Sequence, residues 1–270
     1  VCLKSSHTSA NRAISSTPHS DIAPFMHATK LIRHLSTHGA TKTPAAKTVA
    51  TTLGTTEQVV KEVTDSINSD GIYKVTPWRG GGLYIEGGLG KEKDVYPHVE
   101  KHAEAWVKSS IYGRHGDTRQ KVNPTHRKKL SGKWSTPDIT LLCVHKFLHA
   151  PQNWVELATM EIKHASLQFD VSCVYEALAH TRVASYSVLY FFDDPANNIT
   201  DRNLLGVLEE IKMECSRLGI GLIISEYPCD INSWQYLIPA KKHEPDLRRI
   251  DDFIEDAFDK DEKNWLKKAL

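Results

Sequence analysis

Two stretches decide how this chain reads: WSTPDITLLCV at residues 134–144 and ELATMEIK at residues 156–163. Each holds an apolar run of strand length, and a loop with Pro151, Gln152 and Asn153 lies between them. The first run starts from an acid, Asp138, directly after Pro137. The second ends on Glu161 and Lys163, with the apolar Ile162 between them. Side chains alternate across a strand, so Glu161 and Lys163 share one face and Ile162 takes the other. Paired as a hairpin, the two runs bring together two carboxylates and one ammonium, a set suited to a divalent cation and an activated water.

Around this hairpin, 270 residues leave room for two modest domains or one large one. A quarter of the chain is charged and the formal net charge is +1, so composition alone does not argue for a polyanionic partner. The segregation of charge along the chain says more. Five cysteines (Cys2, Cys143, Cys173, Cys215, Cys229) show no C-x-x-C spacing. That argues against a disulfide framework or a zinc site and suits a cytoplasmic protein. No apolar run approaches the roughly 20 residues of a membrane-spanning helix, so no membrane partner is expected. Residues 1–20, rich in Ser and Thr and without an acid, read as a disordered leader or a non-native remnant.

Upstream of the hairpin, Asp21 and Pro24 start a helix with Ile22, Phe25, Ala28, Ile32 and Leu35 at spacings of three and four, stopped by Gly39. Thr43 and Pro44 open a shorter helix that buries Val49 and Leu53 and ends at Gly54. Thr55 and Gln58 form a capping-box pattern before a third helix. Its Val60, Val63 and Ile67 face inward, while Gln58, Lys61 and Glu62 face out. Residues 72–75 and 83–86 flank a turn with Pro77, Trp78, Arg79 and glycines, and read as a short hairpin. Residues 21–88 thus resemble the winged-helix DNA-binding family, a helix-turn-helix with a wing. The resemblance implies that the third helix enters the major groove. Thr55, Thr56, Gln58 and Lys61 are then the reachable side chains, with Trp78 and Arg79 at the wing tip. Glu57, Glu62 and Asp65 weigh against DNA contact, and docking onto another protein is the alternative.

Domain boundaries follow at 21–90 and 91–270, across a linker at Gly87–Gly90. A helix runs from after Asp94 to about Tyr112, with Val99, Ala103, Trp106 and Val107 on one side. Glu100 and Glu104 share another face, a solvated one unless the hairpin recruits it. Between Arg114 and Lys133 the chain is strongly basic and reads as a loop. Arg127, Lys128 and Lys129 in it suit phosphate-backbone contact, with a solubilising role as the alternative. After the hairpin come a helix capped by Asp170, a strand at 186–192, a helix from Asp201 and a strand at 220–224. Their alternation adds parallel strands to the hairpin and predicts a mixed sheet. The tail from Glu244 is mainly helical, with Leu247, Ile250, Phe253, Ile254 and Phe258 at helical spacing.

The order helix, strand with Pro137-Asp138, strand with Glu161-x-Lys163, helix, strand resembles the PD-(D/E)xK nuclease superfamily, which includes many restriction endonucleases. The likeness covers residues 94–226. It implies an α/β fold: a restriction-endonuclease-like mixed sheet flanked by helices, preceded here by a small winged helix-turn-helix domain. It also implies Mg²⁺ or Mn²⁺ held by Asp138, Glu161 and the carbonyl of Ile162, with Lys163 acting on the attacking water. Glu100 matches in position an auxiliary acid of some members, and Glu104 competes for that place. The helix after Lys163 lacks the Gln-then-Tyr of exonuclease-like members, although Tyr175 and His180 are present.

The expected function is a metal-dependent DNA endonuclease in restriction or defence against foreign DNA. The alternatives are a DNA-binding regulatory or assembly protein with an inactive core, or a transposition or repair subunit. Cutting both strands with one active site calls for two protomers, which makes a homodimer the expected assembly on DNA.

Overall fold

The computed structural model describes residues 22–38, 44–77, 82–112, 117–128, 130, 136–147, 149, 153–193 and 202–270. The leader, the wing-tip residues Trp78 and Arg79, Lys129, and the expected start and stop signals Asp21, Gly39, Thr43 and Asp201 lie outside them.

Three helices open the chain: α1 (Ile22–His38), α2 (Ala46–Leu53) and α3 (Glu57–Asp70). Gly54 ends α2 at φ 66°, a left-handed position that glycine takes without strain. The cap of α3 differs from expectation. Thr56, not Thr55, accepts the Val59 N–H at 3.3 Å, and Gln58 donates to Glu62 instead of closing a capping box. The extended backbone of Thr56 makes it the last non-helical residue, which moves the cap one position on. Strands β1 (Tyr73–Pro77) and β2 (Leu83–Gly87) pair antiparallel as expected. Asn68 on α3 binds both the N–H and the carbonyl of Val75, fixing the hairpin to the helix. Ala28, Leu31, Ile32, Val49, Val60, Val63, Ile67 and Val75 share one core.

That core also takes in Tyr227, from far along the chain. The Tyr227 hydroxyl donates to Asp70 at the end of α3 (2.6 Å), and its neighbour Glu226 lies 3.4 Å from Arg33 on α1.

The rest of the protein is a six-stranded mixed sheet flanked by helices, in the order β3-β4-β5-β6-β7-β8. The strands are β3 (Asp117–Asn123), β4 (Ile139–Lys146), β5 (Trp154–His164), β6 (Tyr186–Phe192), β7 (Gly221–Ser225) and β8 (Trp234–Ile238). β4 and β5 form the expected antiparallel hairpin, and β5–β6–β7 run parallel. Helix α4 (Glu92–Val107) covers one face, with Val95, Val99, Ala103 and Trp106 against Ile139, Leu141, Met160, Ile162 and Tyr190. Helices α5 (Ser172–His180) and α6 (Arg202–Leu218) cover Leu189, Phe191 and Leu222 on the other face. Helix α7 (Leu247–Ala257) covers Leu142 and Leu157 on that second face. Strand alternation explains the split: Leu189 and Phe191 go one way, Val188, Tyr190 and Phe192 the other.

Two expectations need correcting. The basic segment is not all loop, since Asp117–Asn123 is the edge strand β3 and Thr125–Arg127 a short 3₁₀ turn. Gln120 and Asn123 are buried while Arg119 and Lys121 are exposed, so charge on the outward positions hid the strand. Such charges also guard an edge against further pairing. The tail is mainly helical as expected, in two pieces, α7 and α8 (Lys260–Ala269), because Asp259 and Glu262 form a capping box that restarts the helix. Leu247 is exposed instead of lying on the buried stripe of α7. Among the described residues, no helix is long and apolar enough to cross a membrane.

Candidate functional site

Ile139 pairs with Met160, so Asp138, one residue earlier, falls opposite Glu161 at the end of the hairpin. The Asp138 carboxylate accepts the backbone N–H of Ile162 at 2.7 Å and the hydroxyl of Tyr96, on α4, at 2.8 Å. Burial, followed by the like charge of Glu161, pushes the Asp138 carboxyl up to about 8, despite those hydrogen bonds and the ammonium of Lys163. Burial, and then the charge of Asp138, also raises the phenol of Tyr96, which keeps it a donor.

Glu161 is buried too, at 6% exposure, which by itself would raise its carboxyl. His180 Nε2 at 2.9 Å and Lys163 Nζ at 2.7 Å outweigh burial and hold it below the ordinary value. Lys163 bridges two acids, reaching Glu176 on α5 at 2.7 Å as well. Burial would lower the ammonium's pKa, but Glu161 and Glu176 drive it up, so it stays charged. Glu92, in the first turn of α4, belongs to the same group. Burial raises its carboxyl, opposed by Lys163 and by a hydrogen bond from the His164 backbone.

The structure therefore brings together Asp138, Glu161, the backbone of Ile162 and Lys163. Glu100 makes no direct contact with them: its Oε1 lies 3.7 Å from Arg127 Nη2 and 3.9 Å from His126 Nδ1, and that Nδ1 is 3.2 Å from the Asp138 carbonyl. His126 stacks on Tyr96 with centroids 4.1 Å apart, and its backbone N–H donates to the Asp138 carbonyl. The turn bearing Arg127 is thereby fastened beside the hairpin end. Arg127 is exposed, Lys128 half-buried, and Glu104 exposed. In the front unit, Thr56, Gln58 and Lys61 are exposed at the start of α3, and Thr55 is half-buried.

Glu92, Tyr96 and Glu176 were missed by reading the sequence. The signal was spacing: Glu92 and Tyr96 lie four apart on one helix, and Glu176 and His180 four apart on another. Each pair therefore projects from one helix face toward the same sheet end.

Among the described residues, no group of three or more His, Cys, Asp or Glu side chains is arranged to cage a metal ion. Mg²⁺ does not need such a cage, since it commonly takes one or two carboxylates and completes its shell with water and substrate phosphate. Asp138, Glu161 and the Ile162 carbonyl fit that pattern. Burial first, and then the charge of Glu161, raise the Asp138 carboxyl, and a cation bound there would favour its ionised form. A scan against protein-family models gives no match, and no curated protein matches this chain.

Proposed function

We propose that this chain is a Mg²⁺-dependent endodeoxyribonuclease of the PD-(D/E)xK kind, with Asp138, Glu161 and Lys163 as its hydrolytic centre. One observation carries the reading: Asp138 is buried at the hairpin end opposite a second buried acid, Glu161, which Lys163 meets at 2.7 Å, and burial followed by the charge of Glu161 pushes the Asp138 carboxyl up. Burying such a set for stability alone is unfavourable. Asp138, Glu161 and the Ile162 carbonyl would hold Mg²⁺ or Mn²⁺, which when bound neutralises phosphate charge and acidifies a water. The Tyr96 hydroxyl and Ile162 N–H orient Asp138, and His180 fixes Glu161. Lys163, steadied between Glu161 and Glu176, donates to the attacking water or to a phosphate oxygen as charge builds there.

The front unit is taken as a winged helix whose α3 presents Thr56, Gln58 and Lys61 to DNA. Arg127 and Lys128, beside the hairpin end, would contact backbone phosphate. Restriction or defence against foreign DNA is the proposed setting, with a homodimer needed to cut both strands.

One feature favours a second reading, a DNA-binding or assembly protein with a silent core. Both Lys163 and Glu161 already have close partners in Glu176 and His180, so the charges are partly satisfied without metal. Plasmid incubated with Mg²⁺ separates the two. Nicking by the native protein that is lost in Asp138→Ala and Lys163→Ala, with gel-shift binding intact, supports the nuclease. A native protein that shifts DNA but never nicks it leaves the second reading standing.

A further inference from the structure

Glu156 and Glu161 are five positions apart on β5, so they leave opposite faces of the sheet, roughly 16 Å apart at about 3.3 Å per residue. Around Glu156 lies a cavity of about 400 Å³. Glu156, 3% exposed, accepts the indole N–H of Trp154 at 2.9 Å, lies 3.4 Å from His145 Nε2, and is ion-paired with Lys242. Lys242 Nζ also stands 5.3 Å from the centroid of the Trp154 ring, within cation–π range. The carboxylate at the floor is thus neutralised in place.

What the pocket offers a ligand is largely aromatic. Trp154 is 50% exposed and Phe147 45%, and Tyr186 completes the wall. Large apolar rings left open around a concavity mark a binding site more often than a bare surface. A second cavity of about 360 Å³ adjoins the first, sharing Trp154 and Lys242.

The volume suits a small organic group and not the face of a protein. Flat walls select a flat guest, the neutralised floor gives no reason to prefer a cation, and Lys242 supplies an ammonium for a ring oxygen or a phosphate. A nucleobase on its sugar phosphate meets all three conditions, and stacking on an exposed aromatic ring is tolerant of base identity. We propose that this pocket holds one nucleobase, stacked on Trp154 with Lys242 at its oxygen or phosphate. The base could come from a free nucleotide or from a single strand, for which the adjoining cavity leaves room for a neighbour. The site stands apart from the carboxylate cluster and binds without metal.

The test titrates the full chain, in EDTA, with adenosine and thymidine, their 5′-monophosphates, and a short oligothymidylate, read by calorimetry. The native protein is expected to saturate. Trp154→Ala should bind roughly 5- to 100-fold more weakly, the loss that one base–aromatic stack brings, and Trp154→Phe should recover most of it. Lys242→Gln should weaken the monophosphates more than the nucleosides. Saturation by monophosphates identifies a free-nucleotide site, and saturation by the oligonucleotide alone a strand site. Asp138→Ala should bind like the native protein, whichever way the plasmid assay falls. No saturation by any probe, or a Trp154→Ala variant with native melting and native binding, overturns the inference.

Discussion

Near each end of β5 one of its glutamates meets a histidine and a lysine, and the two groups are unlike in the property that matters. Near its start, Glu156 meets His145 and Lys242, one acid against one ammonium, and its carboxyl is held below the ordinary value: burial would raise it, but both partners outweigh that. Near its end, Glu161 meets His180 and Lys163, but Asp138, Glu176 and Glu92 crowd the same lysine. There acids outnumber the ammonium, and the charge of Glu161 adds to burial in raising Asp138. The same three residue types make a closed ion pair in one place and an open demand for positive charge in the other. Residue identity does not distinguish them; charge balance does.

The largest test of that contrast is catalytic. Asp138→Ala and Lys163→Ala should each lower plasmid cleavage at least about 100-fold, the scale on which losing one transition-state contact is felt. Native rates in both would remove the distinction between the two ends.

Stability should change with opposite sign. Glu156→Gln breaks a buried pair and should cost about 3 kcal/mol at neutral pH, seen as a lower denaturation midpoint. The Glu156 contribution is present above its unfolded value of 4.5 and fades as pH falls through its lowered folded value, so the gap should close in acid. Asp138 works the other way. Its folded value of about 8 lies above the unfolded 3.8, so stability is greatest below 3.8 and is lost as pH rises through 8. Without metal, Asp138→Asn should melt above the native protein at pH 9 and level with it near pH 3. A scan showing the reverse order would contradict the charge excess.

Metal should couple to the same proton. Since Asp138 must ionise to bind, half-saturating Mg²⁺ should fall by up to about tenfold per pH unit until pH passes roughly 8, then level off. Glu92→Gln should raise the Mg²⁺ requirement by about three- to tenfold, while Glu100→Gln should leave it unchanged. Equal effects from the two would make Glu100 as much a part of the site as Glu92. The smallest effect concerns the front unit. Lys61→Ala should weaken DNA binding only a few-fold at low salt and flatten the salt dependence by about one unit.

Much of this architecture was legible because strand and helix periods mark buried faces. The β4–β5 hairpin, the parallel strands and the three front helices follow from apolar spacing, cap and turn residues, and the alternation of strand and helix. β3 was hidden because Arg119 and Lys121 occupy its outward positions and give it the composition of a loop. Asp138, Glu161 and Lys163 could be found since register, a local rule, brings them together. Glu92 and Glu176 share helix faces with Tyr96 and His180, which spacing shows, but their place beside Lys163 depends on how α4 and α5 lie on the sheet. Glu100 lies on the same face of α4 as Glu92 and Tyr96, and its nearest charged partners are Arg127 and His126 beside the hairpin end.

Tyr227 sits between β7 and β8 yet fills a place in the front core, with Asp70 holding its hydroxyl. Swinging the front unit away would mean drawing a phenol ring out of that core and breaking the bond. On the proposed function, a protein fastened in this way would act as a gauge: a stretch held by α3 and a bond cut at the hairpin end would be separated by a constant number of base pairs. Mapping cleavage positions around a bound site, with Tyr227→Ala alongside, would reveal a sharp offset that blurs when the fastening is cut.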